Sequence, residues 1–286
     1  MNRVIGITGA GGFIGSHLKI FLESKGYTVI SFVRHPANDN DRIFDLRSQV
    51  DPALLKDVEV LVHCAFIRQD SNLDAEVLNV RAAENLKRAA QIAGVRKTIF
   101  FSSLSAHPGA RSSYGRSKLN IEKIFSEKHD VILKCGLVIG NGGLFREMLN
   151  FALNKKLVPL IDGGAQPVQF ISMNDVALAV HHIISDDLCG SFVLAYPQSM
   201  PYRKFFEAIG NHFNTRLKFV RLSSRLVHAV LSVAAFAHVR LPVSKENLYG
   251  LESMREWRSD GSMDQLRLSS KSLAELLHIH FSTDRS

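Results

Sequence analysis

The stretch that decides the reading is Val4-Ile5-Gly6-Ile7-Thr8-Gly9-Ala10-Gly11-Gly12-Phe13-Ile14-Gly15. An apolar, β-branched run enters a glycine cluster that opens an amphipathic helical pattern over Phe13–Lys25. The spacing Gly9-x-x-Gly12-x-x-Gly15 meets the demands of a dinucleotide loop. One glycine makes the tight turn, a second lets the backbone approach a pyrophosphate, and a third lets helix and strand pack closely, while helix N–H groups meet the phosphate charge. Glycines at this spacing also occur in turns that are merely tight. Here the loop follows a strand, precedes a helix and heads a longer alternating pattern.

Outward from this loop, Thr28–Val33, Val58–Cys64, Thr98–Phe101 and Val131–Cys135 read as buried strands. Between them Asn72–Ala93 and Ser113–Lys128 carry apolar residues at helical spacing, the first with Val77, Val80, Asn85 or Leu86, and Ala89 or Ala90 on one face. Such alternation predicts an α/β fold, a Rossmann-type doubly wound parallel sheet with helices on both faces. Gly26 and Gly94 stand where helix C-caps are expected. After residue 136 loop clusters appear at Gly140–Gly143 and Asp162–Gly164, and Pro159 and Pro167 break continuity. Asn174–Ile184 reads as one more sheet-packing helix, with Ser172 or Asn174 near its N-cap and Asp175 as a capping residue. The expected division is a dinucleotide-binding part, 1–135 and 170–195, and a smaller, largely C-terminal substrate-binding portion, 136–169 and 196–286.

The 286 residues are 46% hydrophobic and 22% charged, an ordinary globular composition that excludes dominant disorder and a disulfide scaffold. A formal charge of +8 favours anionic partners such as phosphates, nucleotides, nucleic acid or acidic lipid, with a mildly basic soluble protein weighing more than nucleic-acid binding. Cys64, Cys135 and Cys189 match no metal spacing and are expected to be reduced and structural. The histidines, His181-His182 included, show no ligand spacing, so no metal is expected. No apolar run is long enough to span a membrane and no signal segment is evident, so a cytoplasmic protein is expected. Leu226–Val239 carries no formal charge, and reads as a buried or cleft-lining helix or, alternatively, an interfacial membrane helix.

The second strand ends Ser31-Phe32-Val33-Arg34-His35, without the acid that would bond an adenosine ribose. Arg34 can grip a phosphate with its guanidinium, which leans towards NADP(H); stacking on adenine or plain solvation are its other readings. Further on, Phe101-Ser102-Ser103 closes a strand, and Tyr114-Gly115-Arg116-Ser117-Lys118 follows. Tyr114 and Lys118, four apart, share a helix face. An ammonium beside a phenol favours the phenolate and lowers its pKa, but for the pair alone a surface aromatic and a solvated lysine is the favoured reading.

Taken with the glycine loop, these residues resemble the short-chain dehydrogenase/reductase superfamily, and more closely its extended branch, the NAD-dependent epimerase/dehydratase family. Asp45-Leu46 is similar to the family's adenine-contacting pair, His63-Cys64-Ala65 to its His-x-Ala segment, and Asn79–Asn85 to its Asn-Val-x-Gly-Thr-x-Asn helix. Leu137–Gly140 and Phe170–Val176 resemble two later landmarks, so the likeness covers residues 3–180. Lys134-Cys135 stands where the family usually has Arg-Pro, Ala83 replaces a threonine, and the arginine that often holds a substrate diphosphate near 165–170 is absent.

The resemblance implies Ser103, Tyr114 and Lys118 as catalytic residues. It implies a cofactor site of Gly9, Gly12, Phe13, Ile14, Gly15, Arg34, Asp45, Leu46, Ala65, Asn79, Tyr114 and Lys118, with Ser103, Asn141 and Arg146 as substrate contacts. Lys155, Lys156, Arg203 and Arg216 are further diphosphate candidates. His63 is expected to be a packed strand-end histidine. The implied activity is that of an NAD(P)-dependent oxidoreductase, with NADP(H) favoured and NAD(H) allowed, acting on a nucleotide-activated sugar, foremost as a 4-keto-sugar reductase. The alternatives are a nucleotide-sugar epimerase with retained NAD, a reductase of a small non-sugar carbonyl, and a non-catalytic nucleotide-binding scaffold. The likeness allows a homodimer.

Overall fold

The computed structural model describes residues 3–67, 75–225, 227–228 and 245–281. The chain runs β1 (Val4–Thr8), α1 (Phe13–Ser24), β2 (Thr28–Val33), β3 (Asp41–Ile43), β4 (Val60–His63), α2 (Ala75–Ile92), β5 (Lys97–Ser103), α3 (Ser113–Glu122) and β6 (Val131–Cys135). It continues β7 (Leu137–Ile139), α4 (Gly143–Lys155), β8 (Leu157–Ile161), β9 (Pro167–Val168), β10 (Phe170–Ser172), α5 (Met173–Ser185) and β11 (Gly190–Leu194). Then come β12 (Met200–Pro201), α6 (Tyr202–His212), β13 (Lys218–Leu222), α7 (Lys245–Glu252), α8 (Asp260–Gln265) and α9 (Leu273–Phe281).

Seven strands form one sheet in the order β11-β6-β5-β4-β1-β2-β3, every neighbouring pair parallel. The strand order reverses on either side of β1, so the glycine loop at its carboxyl end opens at the switch point where such sheets bind ligands. Side-chain alternation sends Val131, Leu133 and Cys135 of β6 into the core shared with α1, α4 and α5, and Ile132 into the cluster under α3 with Phe100 and Phe125. Three two-stranded sheets, β10-β7, β12-β9 and β13-β8, lie beyond β6 in the chain.

Gly26 and Gly94 have left-handed φ of 85° and 75° just past α1 and α2, as their C-cap reading requires. Several details differ from the sequence reading. The α3 helix stops at Glu122 rather than Lys128, because Asp130 takes the Ser126 N–H and turns the chain towards β6. Pro159 lies inside β8 and Pro167 inside β9 instead of ending strands; each belongs to a two-stranded pair, where a missing N–H is tolerated. The side chain that caps α5 is Ser172, on Asn174 N, whereas Asp175 is buried and accepts from Tyr196 and from Lys271 at 2.7–2.8 Å. Apart from Val227 and His228, the apolar stretch Leu226–Val239 lies outside the described residues, as do Asn72–Asp74 at the expected start of the second helix. Among the described residues no helix is long and apolar enough to cross a membrane.

The tightest point of the frame is the glycine loop. A Cβ on Gly15 would lie 2.3 Å from the Gly9 carbonyl oxygen, whereas one on Gly11 would meet nothing within 4 Å. Gly15→Ala is therefore expected to destabilise the fold by about 1–3 kcal/mol through overpacking against backbone, and Gly11→Ala to stay within about 0.5 kcal/mol. Urea denaturation of both variants checks this; equal midpoints would refute the packing role of Gly15.

Candidate active site

One cleft of about 2030 Å³ runs along the carboxyl edge of the sheet and gathers most of the residues singled out in the sequence. Gly9, Gly12, Phe13, Ile14 and Gly15 line it, with Arg34, Asp45, Leu46, Ala65, Asn79, Ser103, Tyr114 and Lys118. Asn141 and Arg146 are not among the lining residues: Asn141 is exposed, and the Arg146 guanidinium lies 5.7 Å from the Phe281 ring centroid, turned to the α9 side. Lys155, Lys156, Arg203 and Arg216 also lie outside the lining.

The glycine loop fits a dinucleotide. Gly9 takes φ +70°, and a Cβ there would press on Ala65 N at 2.8 Å, so the turn and the β4 end close on each other only without a side chain. No side chain caps the α1 N-terminus at Gly12. The first-turn N–H groups there lack intrahelical partners and suit an anion. At the β2 end Arg34 and His35 are exposed, and Asp45 folds onto Arg47 N at 2.9 Å. Asn79 spends its amide on the backbone, bonding Ile67 N at 2.8 Å, Ile67 O at 3.0 Å and Ala75 O at 2.7 Å. It thus shapes the wall of the cleft more than it reaches into it.

At the other wall, Ser112 caps α3 by accepting from Gly115 N at 3.1 Å. A Cβ on Gly115 would stand 2.4 Å from Ser105 O, so this glycine lets α3 close against the loop after β5. That contact brings Tyr114 and Lys118 beside the strand end that carries Ser103. Tyr114 is 42% exposed and meets Phe66 edge-on at 5.2 Å between centroids. Lys118 is 4% exposed; its Nζ donates to Phe101 O at 2.6 Å and lies 4.4 Å from the Phe66 ring centroid and 4.8 Å from that of Phe100. Desolvation lowers its pKa from 10.5 to about 8, so its charge sits near its titration point.

Beneath the site lies a polar frame that the sequence reading did not pick out. Ser102 donates to Glu122, and Lys134 donates to both Glu122 oxygens at 2.6 and 2.7 Å and to Ala106 O at 2.9 Å. A lysine in a strand of buried residues, and a glutamate four residues after Lys118, were the available signals. Trp257 Nε1 donates to Leu104 O at 3.1 Å, and Arg255, which lines the cleft, stacks on the Trp257 ring at 4.4 Å. His63 is buried on Thr8 Oγ1 at 2.7 Å, and burial followed by the Lys118 charge lowers its pKa to about 3, which keeps it neutral. Burial raises the Cys64 thiol and pushes Cys135 up to about 12, so neither is a thiolate at neutral pH. Among the described residues no cluster of three or more His, Cys, Asp or Glu is gathered as a metal ion would need.

The depressed Lys118 pKa fixes a sign. Below pH 8 the folded protein carries the penalty of a buried charge; as pH rises from about 8 to 10.5 the folded state sheds that proton first and the penalty fades. The cofactor-free wild type should therefore gain stability relative to Lys118→Met across this window, as read from denaturation midpoints of both proteins at pH 7, 8.5 and 10. A constant difference would contradict the buried ammonium.

The comparisons with known proteins agree with this fold. No curated protein sequence matches the chain. Among solved structures, the crystal structure of gox2253 superposes with TM-score 0.79 at 20% identity, covering 99% of this chain and 98% of that one. MoeE5, in complex with UDP-glucuronic acid and NAD, gives 0.76 at 22% identity, covering 99% of each. UDP-N-acetylglucosamine 4-epimerase from Bacillus cereus gives 0.74 at 17% identity, covering 100% of this chain and 98% of that one. At these identities the likeness is one of fold. The family model for the NAD dependent epimerase/dehydratase family matches residues 5–193, about two thirds of the chain. The chain therefore belongs to the NAD-dependent epimerase/dehydratase family.

Proposed function

We propose that this chain is an NADP(H)-linked oxidoreductase that interconverts a carbonyl group and an alcohol. The observation that carries the reading is a shared cleft: the uncapped α1 N-terminus and Arg34 line one end of it, and Ser103, Tyr114 and Lys118 line the wall beside it. A bound nicotinamide would supply or accept a hydride at its C4. Tyr114 Oη, on an exposed ring at the cleft wall, gives a proton to the substrate oxygen in reduction and takes it back in oxidation. The Lys118 ammonium favours the phenolate form of Tyr114 and offers its remaining N–H donors to the cofactor ribose. Ser103 holds the substrate oxygen through its hydroxyl. Glu122 and Lys134 keep the strand end beneath it in place.

Arg34, with no acid at the end of β2, supports NADP(H) over NAD(H), and an exchangeable NADP(H) supports net reduction over epimerisation with retained NAD. The presence of Ser103, Tyr114 and Lys118 on one wall speaks against a scaffold. For the substrate, the family and the UDP-sugar complexes of MoeE5 support a nucleotide-activated 4-keto sugar. A specific observation supports the second class, a non-sugar carbonyl: the cleft beyond Tyr114 is walled by apolar side chains of α4 and α7. The assembly we propose is at most a homodimer, and the location the cytoplasm.

Two experiments test this reading. Arg34→Ala should lose about tenfold to a hundredfold in NADP⁺ affinity, the worth of a charge-assisted phosphate contact of roughly 1.5–3 kcal/mol, and leave NAD⁺ affinity nearly unchanged. Equal affinity of the wild type for both cofactors in calorimetric titration would refute the preference. Tyr114→Phe should keep cofactor affinity and lose roughly 10²–10⁴-fold in turnover, whereas Lys118→Met should lose both. Wild-type turnover in Tyr114→Phe would mean that the proton takes another path.

A further inference from the structure

The half of the cleft beyond Tyr114 differs sharply in chemistry from the half that would hold the cofactor. Leu144, Met148 and Phe151 recur at helical spacing on one face of α4 and all line the cleft. Leu144 is 56% and Phe151 41% exposed, unusual for large apolar side chains on a concave wall. The same cleft is lined by Leu222 at the end of β13 and Leu251 of α7, which also pack against Ile161 and Leu248, and, just past α7, by Met254, 41% exposed. Exposed apolar side chains gathered in one cleft mark a ligand surface.

The charges on this side do not suit a diphosphate. Among the described lining residues beyond the Ser103–Lys118 wall, the one cation is Arg255, and Glu147 and Glu246 line the same space. Glu246 also accepts from Ser113 N and Ser113 Oγ, both at 2.7 Å. Among the described residues, two phosphate charges would lose hydration here against one guanidinium, with Glu246 on the same wall. The amino end of α4 gives little help. The Phe13 ring packs onto the glycines that precede and open this helix, close enough that a Cβ on Gly142 would fall 2.4 Å from it.

We infer that the substrate of this chain is a hydrophobic ketone, or the matching secondary alcohol, whose hydrocarbon skeleton lies between the α4 face of Leu144, Met148 and Phe151 and the Leu251–Met254 wall. The inference rests on the hydride-transfer reading above and replaces its sugar with an apolar body. The reaction balances as ketone plus NADPH plus one proton giving secondary alcohol plus NADP⁺: the carbonyl carbon gains the hydride, its oxygen gains the Tyr114 proton, and solvent restores that proton.

The test uses the purified full chain loaded with NADP⁺ and two probes, trans-1-decalone and UDP-4-keto-6-deoxyglucose, in calorimetric titration, followed by NADPH consumption with each. Decalone should bind, and the sugar nucleotide should not. Phe151→Glu and Leu144→Glu should each weaken decalone at least tenfold, about 1.4 kcal/mol, with NADP⁺ affinity unchanged, and Phe151→Leu should restore most of the binding. Both positions are exposed enough that the fold tolerates the charge. Absence of decalone binding, binding of the sugar nucleotide in its place, or decalone binding indifferent to the two glutamates overturns the inference. Decalone binding that depends on Phe151 without any NADPH consumption would uphold the apolar site and refute the hydride-transfer reading instead.

Discussion

The structure turns on the approach of Gly15 to the Gly9 carbonyl. At that point α1 comes so near the turn from β1 that even one methyl group would have to displace backbone. The closeness sets where the helix begins and therefore where its unpartnered N–H groups face. Gly9 also closes on Ala65 at the end of β4, so the mouth of the cleft and the centre of the sheet meet at one residue. The strand order, which reverses on either side of β1, then leaves a crevice directly in front of that helix end.

The second wall is held by a different kind of force. Lys118 is buried against two aromatic rings and one carbonyl, which costs hydration and brings its charge close to titration. One turn further along α3, Glu122 gathers Ser102 and Lys134 below the strand end. Trp257 ties the same loop to the C-terminal segment that carries Arg255. The proposed catalytic strand end is thus fixed from α3, β6 and the C-terminal part together, and a change in any of them would be felt at Ser103.

How much of this was readable in the sequence depended on how local the cause was. The five main strands, the glycine loop and the Tyr114–Lys118 pair follow from patterns within a dozen residues, and the structure has them near the expected positions. The short β3 is too brief to carry a period, and Pro159 and Pro167 hid β8 and β9 because edge pairing excuses a missing N–H. Asp175 looked like a cap from its place near a helix start, but Tyr196 and Lys271, far along the chain, claim its carboxylate. For the same reason Arg146 was a plausible substrate contact in the sequence, whereas its helix turns it towards Phe281. The Glu122–Lys134 pair and Gly115 were visible only as a charge in a buried strand and a small residue in a helix. Their meaning came from contacts across the sheet.

In our proposal the glycine loop, Arg34 and the Ser103–Tyr114–Lys118 wall serve one bound dinucleotide. A crystal structure of the NADP⁺ complex tests it most directly. In that complex the pyrophosphate should lie against the N–H groups of the α1 start, the 2′-phosphate on Arg34, and Lys118 Nζ on the nicotinamide ribose, with the nicotinamide ring beside Tyr114. A pyrophosphate bound elsewhere, or a nicotinamide ring out of reach of Tyr114 with Lys118 still held by Phe101, would contradict it.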